Sequence, residues 1–124
     1  MLSSSRLQTL VCSVQLDAAK RFYGEILGLV LKGTSHGALI YAVGESELRV
    51  SPVPSLTPSA HTVLGFAVQS LREEMQTLAA RGVQFERFPQ VPQNAEAVLT
   101  LSDGASVAWF KDPDGNILSL VQYA

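Results

Sequence analysis

The sequence predicts an α+β protein built from two βαβββ modules in tandem, whose curved mixed sheets enclose a cavity. Three observations carry that expectation. The order strand, helix, strand occurs twice. Leu10 and Leu64, Val14 and Val68, Gln15 and Gln69, and Gly28 and Gly82 are each separated by 54 positions, the mark of an internal duplication. Between the halves Pro52, Pro54 and Pro58 punctuate an aperiodic stretch that reads as a stiff extended linker. The modules accordingly fall at about 6–51 and 62–124, with the linker at about 52–61, in a single domain.

The first module opens with an alternating strand, Leu7 to Val14, in which Cys12 shares parity with Leu10 and Val14 as a small buried hydrophobe. A helix follows, with Leu16, Ala19, Tyr23, Ile26 and Leu27 as its buried stripe and Gly28 as its left-handed terminus. Leu29-Val30-Leu31 restarts a strand. The run Ala38 to Val43, the turn Gly44-Glu45 and the run Glu47 to Ser51 form a hairpin. His36, between Ser35 and Gly37, belongs to an exposed turn.

The second module begins with the strand Thr62 to Val68. Ser70 with Glu73 three residues on is a capping box, and Leu71, Met75, Leu78 and Ala79 share one helix face up to Gly82. Val83-Gln84-Phe85 is read as the next strand. A loop from Pro89 to Ala97 then precedes the apolar run Val98 to Leu101 and is placed to lid a pocket. Ala105 to Lys111 passes through Asp112-Pro113-Asp114-Gly115 into Asn116 to Gln122, with Pro and Gly at the second and fourth positions of a type I turn.

Each four-stranded sheet has one face for its helix and one left open. Two open faces must meet, within one chain or exchanged between chains, and the space between them suits a small ligand. Composition agrees with such a protein. Only 16% of the 124 residues are charged and 47% are hydrophobic, so apolar surface is expected to be hidden in a subunit interface or a cavity, and the low charge with the open sheet faces favours a homodimer. A net charge of −2 leaves no basic surplus for a phosphate backbone, which excludes nucleic acid as the principal partner. The single cysteine excludes an intrachain disulfide and points to a reducing, cytoplasmic setting. Neither a signal peptide nor a membrane-spanning apolar run is read.

The segments Ala18-Ala19-Lys20-Arg21-Phe22-Tyr23-Gly24-Glu25-Ile26-Leu27-Gly28-Leu29 and Trp109-Phe110-Lys111-Asp112-Pro113-Asp114-Gly115-Asn116-Ile117-Leu118 resemble the vicinal oxygen chelate superfamily. That group includes glyoxalase I, extradiol dioxygenases, fosfomycin-resistance transferases and bleomycin-resistance proteins, and the resemblance covers nearly the whole chain. In its metal-dependent members a divalent ion is held by residues of the first, fourth, fifth and eighth strands. The resemblance puts Gln8, Glu47, Val63 and Ser119 at those four positions. Valine has no donor atom and a neutral serine is a poor ligand, whereas a catalytic divalent site needs about three protein ligands and an open position.

The resemblance therefore implies the bleomycin-resistance-like branch: no metal, no cofactor, no catalytic group, and a small hydrophobic or aromatic, antibiotic-like ligand that is bound and sequestered. It implies that Trp109 lines the cavity, where an indole can stack on a flat molecule. Arg49, sharing strand parity with Glu47, is expected to pair with it or to receive an anionic ligand group. Tyr41 is expected as a further wall, and His61 as a proton-transfer group at the cavity mouth. The alternative is a divalent-metal enzyme of the glyoxalase or dioxygenase type using Gln8, Glu47 and His61. Two registers compete for the first strand: the 54-residue repeat aligns Val14 with Val68, whereas counting back from Tyr23 as in the superfamily aligns Ser13 with Val68. A slip of one residue reverses the inward face.

Overall fold

The computed structural model describes residues 1–124, which form two compact units, Met1–Thr57 and Pro58–Ala124. In the first unit β1 (Gln8–Ser13) leads into α1 (Leu16–Arg21), followed by β2 (Val30–Ser35), β3 (Ala38–Val43) and β4 (Ser46–Pro52). The sheet order is β1-β4-β3-β2. β1 runs parallel to β4, and the other pairs are antiparallel. Strand alternation divides the side chains. Val11, Leu39, Tyr41, Leu48 and Val50 are buried on one face. There the Tyr23 ring from the helical segment lies 6.2 Å from that of Tyr41.

This arrangement corrects two expectations. Val11 and Ser13 are the buried residues of β1, whereas Leu10 and Val14 are half exposed and Cys12 is only partly covered. Tyr41 is fully buried under the helix, where its hydroxyl donates to the Lys20 carbonyl at 3.4 Å and burial pushes its pKa up. It is a core aromatic and not part of the open face. Alternation fixes which residues share a face, but only the helix decides which face becomes the core.

The repeat also resolves its register here. Ser13 faces the helix, as does Phe66 in the second unit, whose parity Val68 shares. The strands therefore follow the alignment of Ser13 with Val68, an offset of 55. The glycines after the helices, Gly28 (φ 75°) and Gly82 (φ 94°), still differ by 54. One extra residue must be absorbed between the cap Gln15 and Gly28. It is taken up in a π turn at Phe22–Ile26, where the Leu27 amide donates to Phe22 five residues back at 2.9 Å.

The second unit contains β5 (Thr62–Ala67), α2 (Leu71–Ala80), β6 (Leu99–Thr100), β7 (Ser106–Lys111) and β8 (Ile117–Gln122), in the order β5-β8-β7-β6. α2 starts at the cap Ser70, whose hydroxyl accepts from the Glu73 amide at 3.2 Å, and buries Leu71 and Leu78. Ala108, Phe110, Leu118 and Leu120 form the sheet side of this core. The strand expected at Val83–Phe85 does not form. Phe85 anchors instead on Phe110 with ring centroids 5.9 Å apart, and the chain crosses as a loop until β6 supplies the missing strand with two residues.

One side chain braces the turn joining β7 to β8 alongside its backbone hydrogen bonds. Asp112, 5% exposed, accepts from the amides of Asp114 and Asn116 at 2.9 Å each and from the Asn116 side chain at 2.8 Å. Gly115 has φ 86°, and a Cβ there would approach Pro58 at 3.1 Å, so both conformation and space require glycine. No helix of the structure is long and apolar enough to cross a membrane.

Candidate functional site

In the first unit the face away from α1 is a band of mixed chemistry. The parallel pairing of β1 with β4 sets Gln8 opposite Glu47 and Leu10 opposite Arg49, so Gln8 and Glu47 are adjacent side chains on that face. Lys32 sits where the β2–β3 register slips between Leu31 and Gly33, and its ammonium reaches Glu47 at 2.7 Å. The hydrogen bond and charge of Lys32 hold the Glu47 carboxyl below the usual glutamate range. Arg49 does not pair with Glu47. It donates from Nη2 to the Ser35 carbonyl at 2.7 Å. Lys32 carried no sequence signal, because the slip that turns it toward Glu47 is a tertiary feature.

In the second unit one row crosses three strands of the open face: Trp109 on β7, Ser119 on β8 and Gly65 on β5. A Cβ at Gly65 would stand 2.9 Å from the Ser119 hydroxyl, so these two positions make a low floor beside the indole. Trp109 donates from Nε1 to Thr62 Oγ1 at 3.1 Å. The ring of Phe88 stands at 84° to the indole with centroids 5.6 Å apart.

The β5–β8 register slips between Thr62 and Leu64, which leaves Val63 as the inserted residue, 41% exposed. This irregularity is the one that a reading of His61 as a site residue would require, but its effect is different. It brings Thr62, not His61, to the tryptophan. His61 is exposed, and its backbone amide donates to Ser59 Oγ at 3.2 Å. His36 is exposed in its turn with φ 52°.

The segment between α2 and β6, which contains the loop expected at Pro89 to Ala97, is held together by its own side chains. The amide of Gln93 bridges it from within: Oε1 accepts from the Phe88 amide at 2.9 Å, and Nε2 donates to the carbonyls of Glu86 at 2.9 Å and Ala97 at 2.8 Å. Arg87 donates to the carbonyls of Asn94 and Ala95 at 2.7 and 2.8 Å. Asn94 accepts from the amides of Glu96 and Val98 at 2.9 and 3.0 Å. The last motif was legible, since Asn readily closes such turns. The Gln93 bridge was not.

The donor chemistry of each unit can be set against the divalent metal of the superfamily's metal-dependent members. The first unit offers a neutral amide oxygen, Gln8, and a carboxylate whose charge is already matched by Lys32. The second unit offers an alkyl side chain at Val63 and a neutral hydroxyl at Ser119. These residues do not fit such an ion.

Comparison with known proteins places this geometry in a family. The model of the Glyoxalase/Bleomycin resistance protein/Dioxygenase superfamily matches residues 6–120. Among solved structures, a member of that superfamily from Sphaerobacter thermophilus is 18% identical with a TM-score of 0.74, covering 98% of this chain and 99% of that one. An antibiotic binding protein from Streptomyces is 24% identical with a TM-score of 0.74 over 100% and 99% of the two chains. A lactoylglutathione lyase from Agrobacterium tumefaciens is 18% identical with a TM-score of 0.72 over 96% and 93%. No curated protein matches the chain by sequence. At these identities the solved structures speak for the fold, and the matched model, which spans almost the entire sequence, shows that the chain belongs to the Glyoxalase/Bleomycin resistance protein/Dioxygenase superfamily.

Proposed function

We propose that the protein binds a small hydrophobic or aromatic molecule of antibiotic-like character and sequesters it unchanged, without a metal or other cofactor, as a cytoplasmic homodimer. The observation that carries this reading is the indole of Trp109 set beside the low floor of Gly65 and Ser119 on an open sheet face. A flat apolar surface next to positions without bulky side chains suits a ring system. By itself, the first unit's open face carries polar groups of both signs in Gln8, Glu47 and Arg49. The poor metal-donor chemistry of Val63 and Ser119 speaks against metal-dependent turnover, and the fold shared with an antibiotic binding protein is consistent with binding.

A divalent-metal enzyme built on Gln8, Glu47 and His61 is the second reading. It is favoured by the adjacency of Gln8 and Glu47 and opposed by the Lys32 contact and the exposed position of His61. Thermal-shift screening of aromatic compounds, followed by tryptophan quenching titrations, tests the first reading. A hit is expected to lose affinity by about tenfold or more in Trp109→Ala, as the loss of an aromatic contact implies. A stoichiometric metal in purified protein, lost together with activity in Glu47→Gln, would instead refute sequestration in favour of the enzyme.

A further inference from the structure

We infer that Gln93 is a positioning residue for the Trp109 site, and that the wall it locks makes the site selective for planar ring systems over globular apolar molecules of similar size. The inference rests on the proposed binding function for its ligand class, though not for the positioning role.

Three contacts from one amide connect Glu86, Phe88 and Ala97, so the ends of the loop and its middle are tied at a single point. The bridged loop is tied to the sheet through the Glu86 amide, which donates to the Trp109 carbonyl at 2.8 Å. Phe88 leaves this braced frame and sets its ring perpendicular to the indole. The indole N–H is already bonded to Thr62. Trp109 is thus held by two contacts, a ring and a hydrogen bond, before any ligand arrives, and the cost of ordering the ring on binding is lowered. Its only polar atom is occupied, which leaves π surface for recognition. The indole, in register with Ser119 and Gly65, and the Phe88 ring perpendicular to it form an aromatic corner, into which a planar molecule fits face to one ring and edge to the other. A globular aliphatic molecule meets neither ring over a comparable area.

The chain has one tryptophan, so its near-ultraviolet circular dichroism reports the fixing of Trp109 without any ligand. In Gln93→Leu, which keeps bulk and removes all three hydrogen bonds, that tryptophan signal is expected to fall by about half or more while the far-ultraviolet spectrum is retained, because the ring loses its fixed asymmetric surroundings. An unchanged signal overturns the positioning role. Phe88→Leu, which leaves the brace intact, provides the same readout if the Gln93 variant does not fold: a lost signal supports the corner and a retained one overturns it. For the ligand class the probes are acridine, planar, and 1-adamantanol, globular. Acridine is expected to bind the native protein at least tenfold more tightly, and to weaken by about tenfold in Gln93→Leu as preorganisation is lost. Equal affinity for the two probes overturns the planar selectivity. Failure of both probes to bind, with the tryptophan signal still collapsing in Gln93→Leu, overturns the binding function and its ligand class while the positioning role stands.

Discussion

The carboxylate of Glu47 shows how a single neighbour decides what a residue can do. Its position in register with Gln8 makes it available as an oxygen ligand, but the Lys32 ammonium at 2.7 Å already satisfies its charge. Removing that partner in Lys32→Met should raise the Glu47 pKa toward the ordinary glutamate value, which a carboxyl-carbon NMR titration reads directly. The sign of the linked stability follows from the direction of the shift. A carboxyl lowered in the folded state stabilises the protein above its unfolded pKa and loses that contribution as pH falls through the folded value. The native protein should therefore lose more stability than Lys32→Met on acidification across that window, and equal losses would show that the pair is immaterial. None of this was legible from residue order. Glu47 and Arg49 share a face by strand parity, as alternation requires, but the partner came from a third strand through a register slip that no local pattern announces.

At the scale of elements, the sequence was most legible where chemistry is local. The Ser70 cap, the left-handed Gly28 and Gly82, and the turn at 112–115 all formed where their residue types require. The departures come from insertions and long-range contacts. The 54-residue repeat mis-set the first strand because one residue accommodated in the π turn at Phe22–Ile26 shifts everything before it. Val83–Phe85 has strand-like composition, but Phe85 packs on Phe110 and pulls the chain out of the sheet. The best-determined element, the β7–β8 turn, offers the strongest test of local encoding. Asp112→Ala removes three accepted hydrogen bonds at a buried site and strands two backbone amides. Chemical denaturation should show a loss of roughly 2–4 kcal/mol, as expected when a buried network is broken. A loss below about 1 kcal/mol, the worth of one ordinary hydrogen bond, would mean that solvent replaces the carboxylate.

For the whole molecule the decisive quantity is apolar surface. The chain devotes 47% of its residues to hydrophobic types and 16% to charged ones, and the fold does not bury all that this supplies. Leu7, Leu10, Val14, Val30 and Val63 remain between 41% and 86% exposed. Leu10 lies on the open face of the first sheet, and Val30 opens the edge strand β2. Scattered apolar side chains on a surface are ordinary, but several on one unit favour self-association. Light scattering should therefore report about twice the 13.3 kDa chain mass at micromolar concentration, as expected of a closed two-fold assembly. A lysine at an interface position must be desolvated or expelled, so Leu10→Lys combined with Val30→Lys should shift the population toward the single chain while far-ultraviolet circular dichroism stays unchanged. A native protein that remains a single chain throughout this range would remove the dimer, and the exposed apolar residues of β1 and β2 would then have to be covered by something other than a second copy.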